Sequence, residues 1–382
     1  MADSEERHRD IDNPTAGELR TEEFQVNMGP QHPSTHGVCR LLLTMDGEVI
    51  VKVEPYIGYL HRAIEKIVEN RVYNQITPFM DRVEYVSSMM CDWVYALSVE
   101  KIGEIEVSPR AEYLRVIFGE LQRIASHLLF FGVFALDLGA ITPFLYGLRE
   151  REMIIDLFEE TCGQRLTYNY IRIGGVSRDI RPDFEKKCRK FLEHMRTVIA
   201  DYHALLDENP IFLTRTKSVG VLTKDTAVEF GVSGPSLRGS DVKWDVRKGD
   251  PYGYYDRFEF DIPSGQNGDT WDRYLMRLEE IKQSVKIIEQ ALDGLPEGDP
   301  TLKIKPSFKI PEGEYYARVE APRGELGCYI VSDGKKKPYR LKLRGASYNN
   351  LLVIPEISTG CKIADLVAIF ASFDIVMPEV DR

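Results

Sequence analysis

The pattern of hydrophobic and polar positions changes period near residue 58. Before that point three segments with strand-like patterning predict β-strands: EFQVNM, VCRLLLTM and EVIVKVEPYI. Asp46 and Gly47, between the second and third, have the sequence of a two-residue hairpin turn. The loop GPQHPSTHGV, residues 29–38, joins the first two strands. Residues 23–57 are therefore predicted to form an N-terminal β region.

From residue 58 onward, for about half the chain, apolar positions recur every three or four residues, as in amphipathic helices. This pattern predicts a bundle of long helices over residues 58–210. The predicted helices follow Asp81, begin at Ser108-Pro109 and end at Gly139, run from Thr142-Pro143 to Gly163, and cover about residues 183–207.

The start of the first long helix bears on the candidate chemistry. Asp81 and Glu84 resemble a capping pair, which places Tyr85 in the first turn of that helix. A tyrosine in a first turn can share a pocket with free backbone N–H groups, which favour negative charge developing on oxygen. Taken alone, Tyr85 is more typical of a core or half-buried tyrosine than of a functional one.

The last part of the chain mixes both periods. It predicts a short helix near residues 224–230, a long one near 270–292 and a final one near 362–373, with strands EYYARVEAP, ELGCYIVS and PYRLKLR between the last two. The predicted fold class is therefore α+β, with an N-terminal β-sheet region, a central long-helix bundle and a C-terminal α+β portion over residues 211–382 packed on the bundle. Residues 23–382 are expected to be one folded unit.

Composition excludes several classes of protein. With 60 acidic and 49 basic residues the net charge is -11, which argues against nucleic acid as a partner. Residues 1–22 are acidic and nearly free of apolar side chains, unlike a secretory signal, and are expected to form a flexible tail. The six cysteines are scattered and form no CxxC pair for zinc or an iron-sulfur cluster.

One apolar segment, LLFFGVFALDLGAITPFLYGL at residues 128–148, has a single charge. Asp137, Gly139 and the Thr142-Pro143 pair divide it into pieces too short to span about 30 Å of hydrocarbon. We therefore expect buried bundle helices, with membrane association supplied by a partner.

The 29–38 loop and Asp137 contain the candidate chemistry. His32 and His36 lie four residues apart, but Pro33 and the flanking glycines disfavour the helix that would align them on one metal. Either histidine alone is as readily explained as a turn residue bonding its own loop. Asp137 falls in the last turn of its helix, where the helix dipole disfavours a carboxylate and calls for a cationic or donor partner. A loop histidine paired with it would gain a raised pKa and become a proton donor.

Several long motifs resemble the 49 kDa, quinone-site subunit of respiratory complex I. They are GPQHPSTHGVCRL, EPYIGYLHRAIEKIVENR, ELQRIASHLLFFGVFALDLGAITPF, REREMIIDLFEETCG, YIRIGGV, SGPSLRGSDVKWDVRK and FDIVMPEVDR. The resemblance covers nearly the whole chain after the tail. That family is in turn similar to the large subunit of nickel-iron hydrogenases, which bind their metals through two CxxC pairs that this chain lacks.

The resemblance implies roles for individual residues. The positions of His36 and Tyr85 match residues that hold the quinone headgroup, and Asp137 matches the partner of that histidine. His32 matches a residue that lines the quinone loop in a structural role. Arg62 matches an arginine beside the terminal 4Fe-4S cluster of a neighbouring subunit, although from sequence a solvated helix arginine near Glu65 explains it equally well.

One position departs from the family. Many members carry a histidine near that cluster, and this chain has Thr167 at the aligned position. Similar replacements occur in ferredoxin-linked photosynthetic complexes and archaeal deazaflavin-linked dehydrogenases. The electron donor is therefore left open between NADH, a reduced deazaflavin coenzyme and ferredoxin, and the acceptor between a quinone and a phenazine.

The expected function is the quinone-reduction-site subunit of a membrane-bound, proton-pumping dehydrogenase. The resemblance implies no cofactor on this chain alone, quinone as substrate and a 4Fe-4S cluster on the iron-sulfur small subunit. Other implied partners are the 30 kDa-type subunit, a ferredoxin-like subunit and a membrane-arm quinone-channel subunit, on the cytoplasmic side of the cell membrane. The alternatives are a nickel-iron hydrogenase with unexpected ligands and a structural assembly subunit with a degenerate pocket.

Overall fold

The computed structural model describes residues 22–35, 37–305 and 307–382. The strands in these ranges are β1 (Glu23–Met28), β2 (Gln31–His32), β3 (Gly37–Val38), β4 (Arg40–Asp46), β5 (Val49–Tyr56), β6 (Ile171–Arg172), β7 (Gly175–Val176), β8 (Glu312–Ala321), β9 (Gly324–Asp333) and β10 (Arg340–Arg344). The helices are α1 (Ile64–Val68), α2 (Thr77–Met80), α3 (Ser88–Gly103), α4 (Pro109–Asp137), α5 (Ile141–Cys162), α6 (Phe184–Leu206), α7 (Pro210–Thr216), α8 (Lys224–Glu229), α9 (Pro235–Arg238), α10 (Val246–Gly249), α11 (Thr270–Asp293), α12 (Ala346–Leu352), α13 (Ile354–Ser358), α14 (Ile363–Phe373) and α15 (Met377–Asp381). This arrangement confirms the predicted α+β class.

The N-terminal sheet has the antiparallel order β1-β4-β5. Strand β4 alternates between buried and half-buried positions, so that Leu41, Leu43 and Met45 point inward. They share a core with residues of α13 and α14 from the far end of the chain. The N-terminal strands are thus stabilised by C-terminal helices that lie more than 300 residues away in the sequence.

Helix α4 is the central element of the bundle and packs along α5 and α11. Its first turn is capped by Ser108, whose hydroxyl accepts a hydrogen bond from the backbone N–H of Ala111 at 3.2 Å. Among the described residues it is also the helix that is long and apolar enough to cross a membrane, but 89% of its most apolar window is buried inside the protein. The chain leaves the helical conformation between Asp137 and Ile141, as the sequence predicts. Helix α5 ends at Cys162, and the next residue, Gly163, has a left-handed backbone conformation.

The C-terminal sheet is the antiparallel meander β10-β9-β8. Strands β8 and β9 pair along their full length and are joined by Pro322 and Arg323. Both strands also pack on α3. The hairpin therefore carries the side chain of Arg323 to the N-terminal end of that helix.

The predicted capping pair is wrong. Helix α3 begins at Ser88, after a 3₁₀ turn over Tyr85–Ser87, and its N-terminal residue Ser87 makes no side-chain cap. Asp81 and Glu84 are instead buried and turn into the protein. Their short acidic side chains fit the sequence pattern of a cap, but both are used for tertiary contacts.

A network of buried charges joins α4 to the C-terminal half. Glu120 on α4 accepts hydrogen bonds from Arg247 at 3.1 Å, Arg123 at 3.1 Å, Tyr255 at 2.6 Å and Ser284 at 2.6 Å. Burial alone would raise the pKa of Glu120, but the positive charges of Arg123 and Arg247 hold that pKa at about 2. Glu120 is therefore an ionised carboxylate inside the core.

The network continues through a third arginine, Arg238. Arg238 donates to Glu280 at 2.5 Å and to Glu320 at 2.8 Å, so that it links α9, α11 and β8. Glu280 also lies 3.0 Å from Nε2 of His127 on α4. Burial lowers the pKa of His127 to about 4, and the ring is neutral near pH 7. The carboxylates of Glu120 and Glu280 and the guanidinium of Arg238 thus each have an opposite charge beside them.

We expect Glu120→Gln to lower the free energy of unfolding by about 3–5 kcal/mol, because it leaves the buried Arg123 without its carboxylate partner and Arg247 with Asp245 alone. Urea unfolding of the purified protein measures this loss. The control is Glu152→Gln, which removes one exposed partner of Arg165 and is expected to cost at most about 1 kcal/mol.

The pH dependence gives a second readout of the same change. A depressed carboxyl pKa stabilises the fold above the unfolded pKa of about 4.3, and this contribution is lost as the pH falls toward 2. The wild-type advantage over Glu120→Gln should therefore be constant between about pH 5 and 8 and shrink below about pH 4. Equal urea midpoints of the two proteins at pH 7 would contradict the role of Glu120.

Candidate functional site

Tyr85 lies at the surface of a cleft, in the 3₁₀ turn that precedes α3. Its side chain is 41% exposed, whereas the next residue, Val86, is buried. The turn is closed by a hydrogen bond from the N–H of Ser87 to the carbonyl of Glu84 at 2.9 Å. The backbone thereby fixes the direction in which the phenol projects, toward solvent and the cleft.

Behind this turn, Arg323 binds two carboxylates. Its guanidinium donates to Oε1 of Glu84 at 2.5 Å and to the hydroxyl of Ser126 at 3.0 Å. It also donates to the carbonyl of Asp374 at 2.8 Å and lies 2.9 Å from a carboxylate oxygen of that residue. Because Arg323 is 2% exposed, these bonds hold the residue before Tyr85 rigidly against α4 and the end of α14.

The protonation of Glu84 differs from that of an ordinary carboxyl. Its side chain is fully buried, and burial raises its pKa to about 8 in spite of the neighbouring Arg323. Oε2 of Glu84 has no hydrogen-bond partner among the described residues. The acid immediately before Tyr85 can therefore carry a proton near neutral pH.

The cleft beside Tyr85 has a volume of about 230 Å³. Most of its wall is apolar, with one arginine and one aspartate at the back. It is lined by Pro33, Tyr85, Val86, Leu129, Phe130, Val133, Arg323, Asp374, Ile375 and Val376. The 29–38 loop, the turn before α3, helix α4 and the segment after α14 thus meet at one site.

The 29–38 loop reaches the cleft through Pro33. A side chain at Gly29, whose φ is +87°, would place Cβ 2.1 Å from the carbonyl oxygen of Cys39, so the sharp start of the loop requires glycine. His32 is exposed, and its Nδ1 accepts a hydrogen bond from the N–H of Ser34 at 3.2 Å. This contact fits a turn residue that bonds its own loop. His36 lies outside the described residues.

Asp137 is the last residue of α4, as predicted, and is half-buried. It follows Val133 by four residues, so both lie on the face of α4 that borders the cleft, about 6 Å apart. The carboxylate is thus placed one helical turn beyond the apolar wall.

Arg62 lies in the loop before α1 and not on a helix, so the interpretation as a helix arginine near Glu65 is wrong in that respect. Its guanidinium donates to the carbonyl of Arg82 at 2.9 Å. The loop is held by Asp381, whose carboxylate accepts hydrogen bonds from the N–H groups of Gly58 and Leu60, each at 2.7 Å. Arg62 is exposed and fixed in position by the C-terminal segment.

Thr167 lies in the loop that follows α5. It adopts a left-handed backbone conformation with φ of +53°, as does Asn169 with φ of +45°. The N–H of Asn169 donates to Asp81 at 3.2 Å. The departure from the resembled family thus occurs next to a buried carboxyl group.

The sequence patterns did not identify Glu84, Arg323 or Asp374 as site residues. Glu84 was interpreted as a cap, and Arg323 lies in the short interval between two predicted strands. A signal was present there, because Pro322-Arg323-Gly324 is a tight turn between two buried strands, where a lone arginine needs an acidic partner. The partner could not be identified without the fold. No group of three His, Cys, Asp or Glu side chains in the described ranges is arranged to hold a metal ion.

Comparison with known proteins is consistent with this geometry. The family model described as "Respiratory-chain NADH dehydrogenase, 49 Kd subunit" matches residues 137–307 and 301–382. A protein of Bacillus anthracis, named as a subunit of NADH-quinone oxidoreductase, is 51% identical over 364 residues, which are 95% of this chain and 100% of that protein. A protein of the same name from Dehalococcoides mccartyi is 53% identical over 365 residues, again 95% of this chain and all of the relative.

These matches cover the α4 end, the Arg323 hairpin and the C-terminal segment that form the cleft. The chain belongs to the family of the 49 kDa subunit of respiratory-chain NADH dehydrogenase.

Proposed function

We propose that the cleft beside Tyr85 binds the headgroup of a quinone, and that the chain is the quinone-reduction-site subunit of a membrane-bound, proton-pumping complex I-type dehydrogenase. The observation that carries this proposal is the position of the Tyr85 phenol at a cleft lined mainly by apolar residues. A quinone headgroup is a flat ring with two carbonyl acceptors, so it needs apolar walls and a few donors. The names of the relatives, which include quinone reduction, support the same chemistry.

Tyr85 donates its hydroxyl hydrogen to one quinone carbonyl. Leu129, Phe130 and Val133 on α4 contact the ring, because they form the apolar wall opposite the tyrosine. A cleft of about 230 Å³ holds a ring but not a long isoprenoid tail, which must extend out toward the membrane partner. The chain thus binds the reacting end of the quinone, and a membrane-arm quinone-channel subunit binds the rest.

His36 is the second donor in this proposal, and Asp137 is its carboxylate partner. The position of Asp137 supports the pairing, since it is half-buried at the end of α4, one helical turn after Val133 of the cleft wall. A carboxylate at a helix C-terminus is unfavourable without a cationic or donor neighbour. His32 lines the same loop in a structural role, consistent with its bond to Ser34.

Electrons reach the quinone from the terminal 4Fe-4S cluster of the iron-sulfur small subunit, and NADH is the ultimate donor suggested by the relatives' names. Arg62 is proposed to face that cluster, because it is exposed and held by backbone contacts. The 30 kDa-type and ferredoxin-like subunits complete the peripheral assembly on the cytoplasmic side of the membrane. No redox cofactor is needed on this chain for that role.

Tyr85→Phe removes the hydroxyl donor but keeps the ring. We expect the rate of quinone reduction to fall about 10- to 100-fold, which corresponds to the loss of one hydrogen bond to a group that gains negative charge. NADH:quinone reductase activity of the purified complex measures this loss. The control is Tyr339→Phe, which alters a tyrosine that is 69% exposed and distant from the cleft.

Assembly must be measured in the same preparations. NADH oxidation with an artificial acceptor that bypasses the quinone site should be unchanged in both tyrosine variants. Near-normal turnover of Tyr85→Phe with both short-tailed and long-tailed quinones would refute the proposed role.

Asp137→Asn is expected to lower quinone reduction about tenfold, because an amide does not stabilise a charged histidine as a carboxylate does. Asp137→Glu keeps the charge and should recover part of the activity. Asp201→Asn on the exposed face of α6 serves as the matched control. Equal activities of Asp137→Asn and Asp137→Glu would show that the charge has no role.

A further inference from the structure

Two aspartates lie buried together where α2 meets α3. Asp81 is 1% exposed and Asp92 is fully buried, and their carboxyl groups face each other within hydrogen-bonding reach. We call these two residues the carboxyl pair. Neither forms an ion pair with a Lys or Arg side chain among the described residues, and the donor that reaches the pair is the N–H of Asn169 at 3.2 Å.

Two carboxylates cannot both be ionised in such a place. Burial raises the pKa of Asp81 to about 6. Burial, together with the charge of Asp81, raises the pKa of Asp92 well above its usual range. Like charges at short distance in an apolar core share one proton, and they titrate as a unit. The pair is therefore expected to carry one proton near pH 7.

Two arginines, two cysteines and one tyrosine also face the pair. Arg82, after α2, and Arg172, on β6, are exposed cations whose charge favours ionisation of the pair. Cys162 at the end of α5, Tyr168 in the following loop and Cys91 on α3 all have pKa values raised by burial, so they remain neutral. The exchangeable proton of this region thus belongs to the carboxyl pair.

A row of three buried polar side chains lies along the chain before Asp92 of the pair and next to Tyr85 of the cleft. Ser88 precedes Asp92 by four residues in α3, so the two share one face of the helix about 6 Å apart. Ser87 and Glu84 continue the row to the turn that carries Tyr85, and we call Glu84, Ser87 and Ser88 the inner polar row. Each of the three side chains is 0% exposed and has an oxygen without a hydrogen-bond partner among the described residues.

Buried oxygens of this kind normally bind ordered water, and rows of hydroxyl and carboxyl groups with water transfer protons. The last member of the row, Glu84, is bonded to the Arg323 guanidinium that lines the cleft. At the other end, a cleft of about 340 Å³ is lined by Asn169 and Arg172, the residues beside Asp81. The inner polar row and the carboxyl pair thus lie between residues of the two clefts, at the N-terminal end of α3.

We propose that the carboxyl pair is a proton-exchange site that supplies the cleft beside Tyr85 through the inner polar row. The proposal rests on the proposed function, because quinone reduction is what consumes the protons. The quinone gains two electrons from the dehydrogenase reaction and two protons to become a quinol. For one of these, a carboxyl O–H bond of the pair breaks and the proton moves along the row. A proton from solvent in the 340 Å³ cleft replaces it as it leaves, so the pair keeps one proton throughout.

Infrared difference spectroscopy of the purified complex tests the pair directly. The spectrum of the resting complex at acid pH minus the spectrum at alkaline pH should contain the C=O stretching band of a protonated carboxyl group. This band should shift in D₂O, because the carboxyl proton exchanges with deuterium. We expect this band to be lost or shifted in frequency in both Asp81→Asn and Asp92→Asn, because each variant replaces one carboxyl of the pair, and to be unchanged in Asp201→Asn. An unchanged band in both pair variants would overturn the proposal.

Kinetics test the supply path. We expect Asp92→Asn to lower quinone reduction at least about tenfold at alkaline pH, where protons are scarce, and less at acid pH, while bypass activity is unchanged. If the band is lost or shifted but the pH dependence of quinone reduction in Asp92→Asn equals that of the wild type, the pair has only a structural role and the proposal is overturned.

Ser88→Ala interrupts the row without changing the pair, and it covers the case in which the aspartate variants fail to assemble. It should retain the carboxyl band, slow quinone reduction and increase the solvent deuterium isotope effect on that rate. Unchanged turnover and isotope effect in Ser88→Ala would contradict transfer through the row. Normal turnover of Tyr85→Phe, with the band behaving as expected, would instead refute the quinone role of Tyr85 and leave the pair standing.

Discussion

The buried ion pairs around Glu120 and Arg238 require the helical bundle and the C-terminal portion to meet in one arrangement. Each ion loses its hydration on burial at a cost of several kcal/mol, which only close pairing with good geometry can offset. Glu120 on α4 needs Arg247 on α10, and Arg238 needs both Glu280 on α11 and Glu320 on β8. Apolar packing alone would tolerate small shifts between these elements, whereas the ion pairs do not.

The candidate site depends on the same constraint. The β8–β9 hairpin is held by Glu320, and its turn carries Arg323 to the residue before Tyr85. A phenol on a loosely held turn would sample many directions, and a donor contributes most to a reaction when its direction is fixed beforehand. The rigid charged core therefore orients the Tyr85 phenol at the cleft, and Glu84 behind it is buried.

Much of the fold could be predicted from the sequence. Local rules were sufficient for features that depend on neighbouring residues. These are the strands of both sheets, the Ser108 cap of α4, the end of α5 before Gly163 and the position of Asp137 in a last turn. The capping role of Asp81 and Glu84 was wrong for the same reason. Local rules cannot show that an acidic side chain turns inward to meet an arginine 239 residues away.

The sequence by itself determined most of the elements and the absence of CxxC pairs, and through the resemblance it led to the proposal of Tyr85 as a site residue. Only the tertiary structure decided that Arg323 and Asp374 stand behind that tyrosine, and that Asp81 and Asp92 share one buried place. The physical reason is that helices and strands form from interactions a few residues long. The protonation of a carboxyl group is set by burial and by neighbouring charges, and both come from distant parts of the chain.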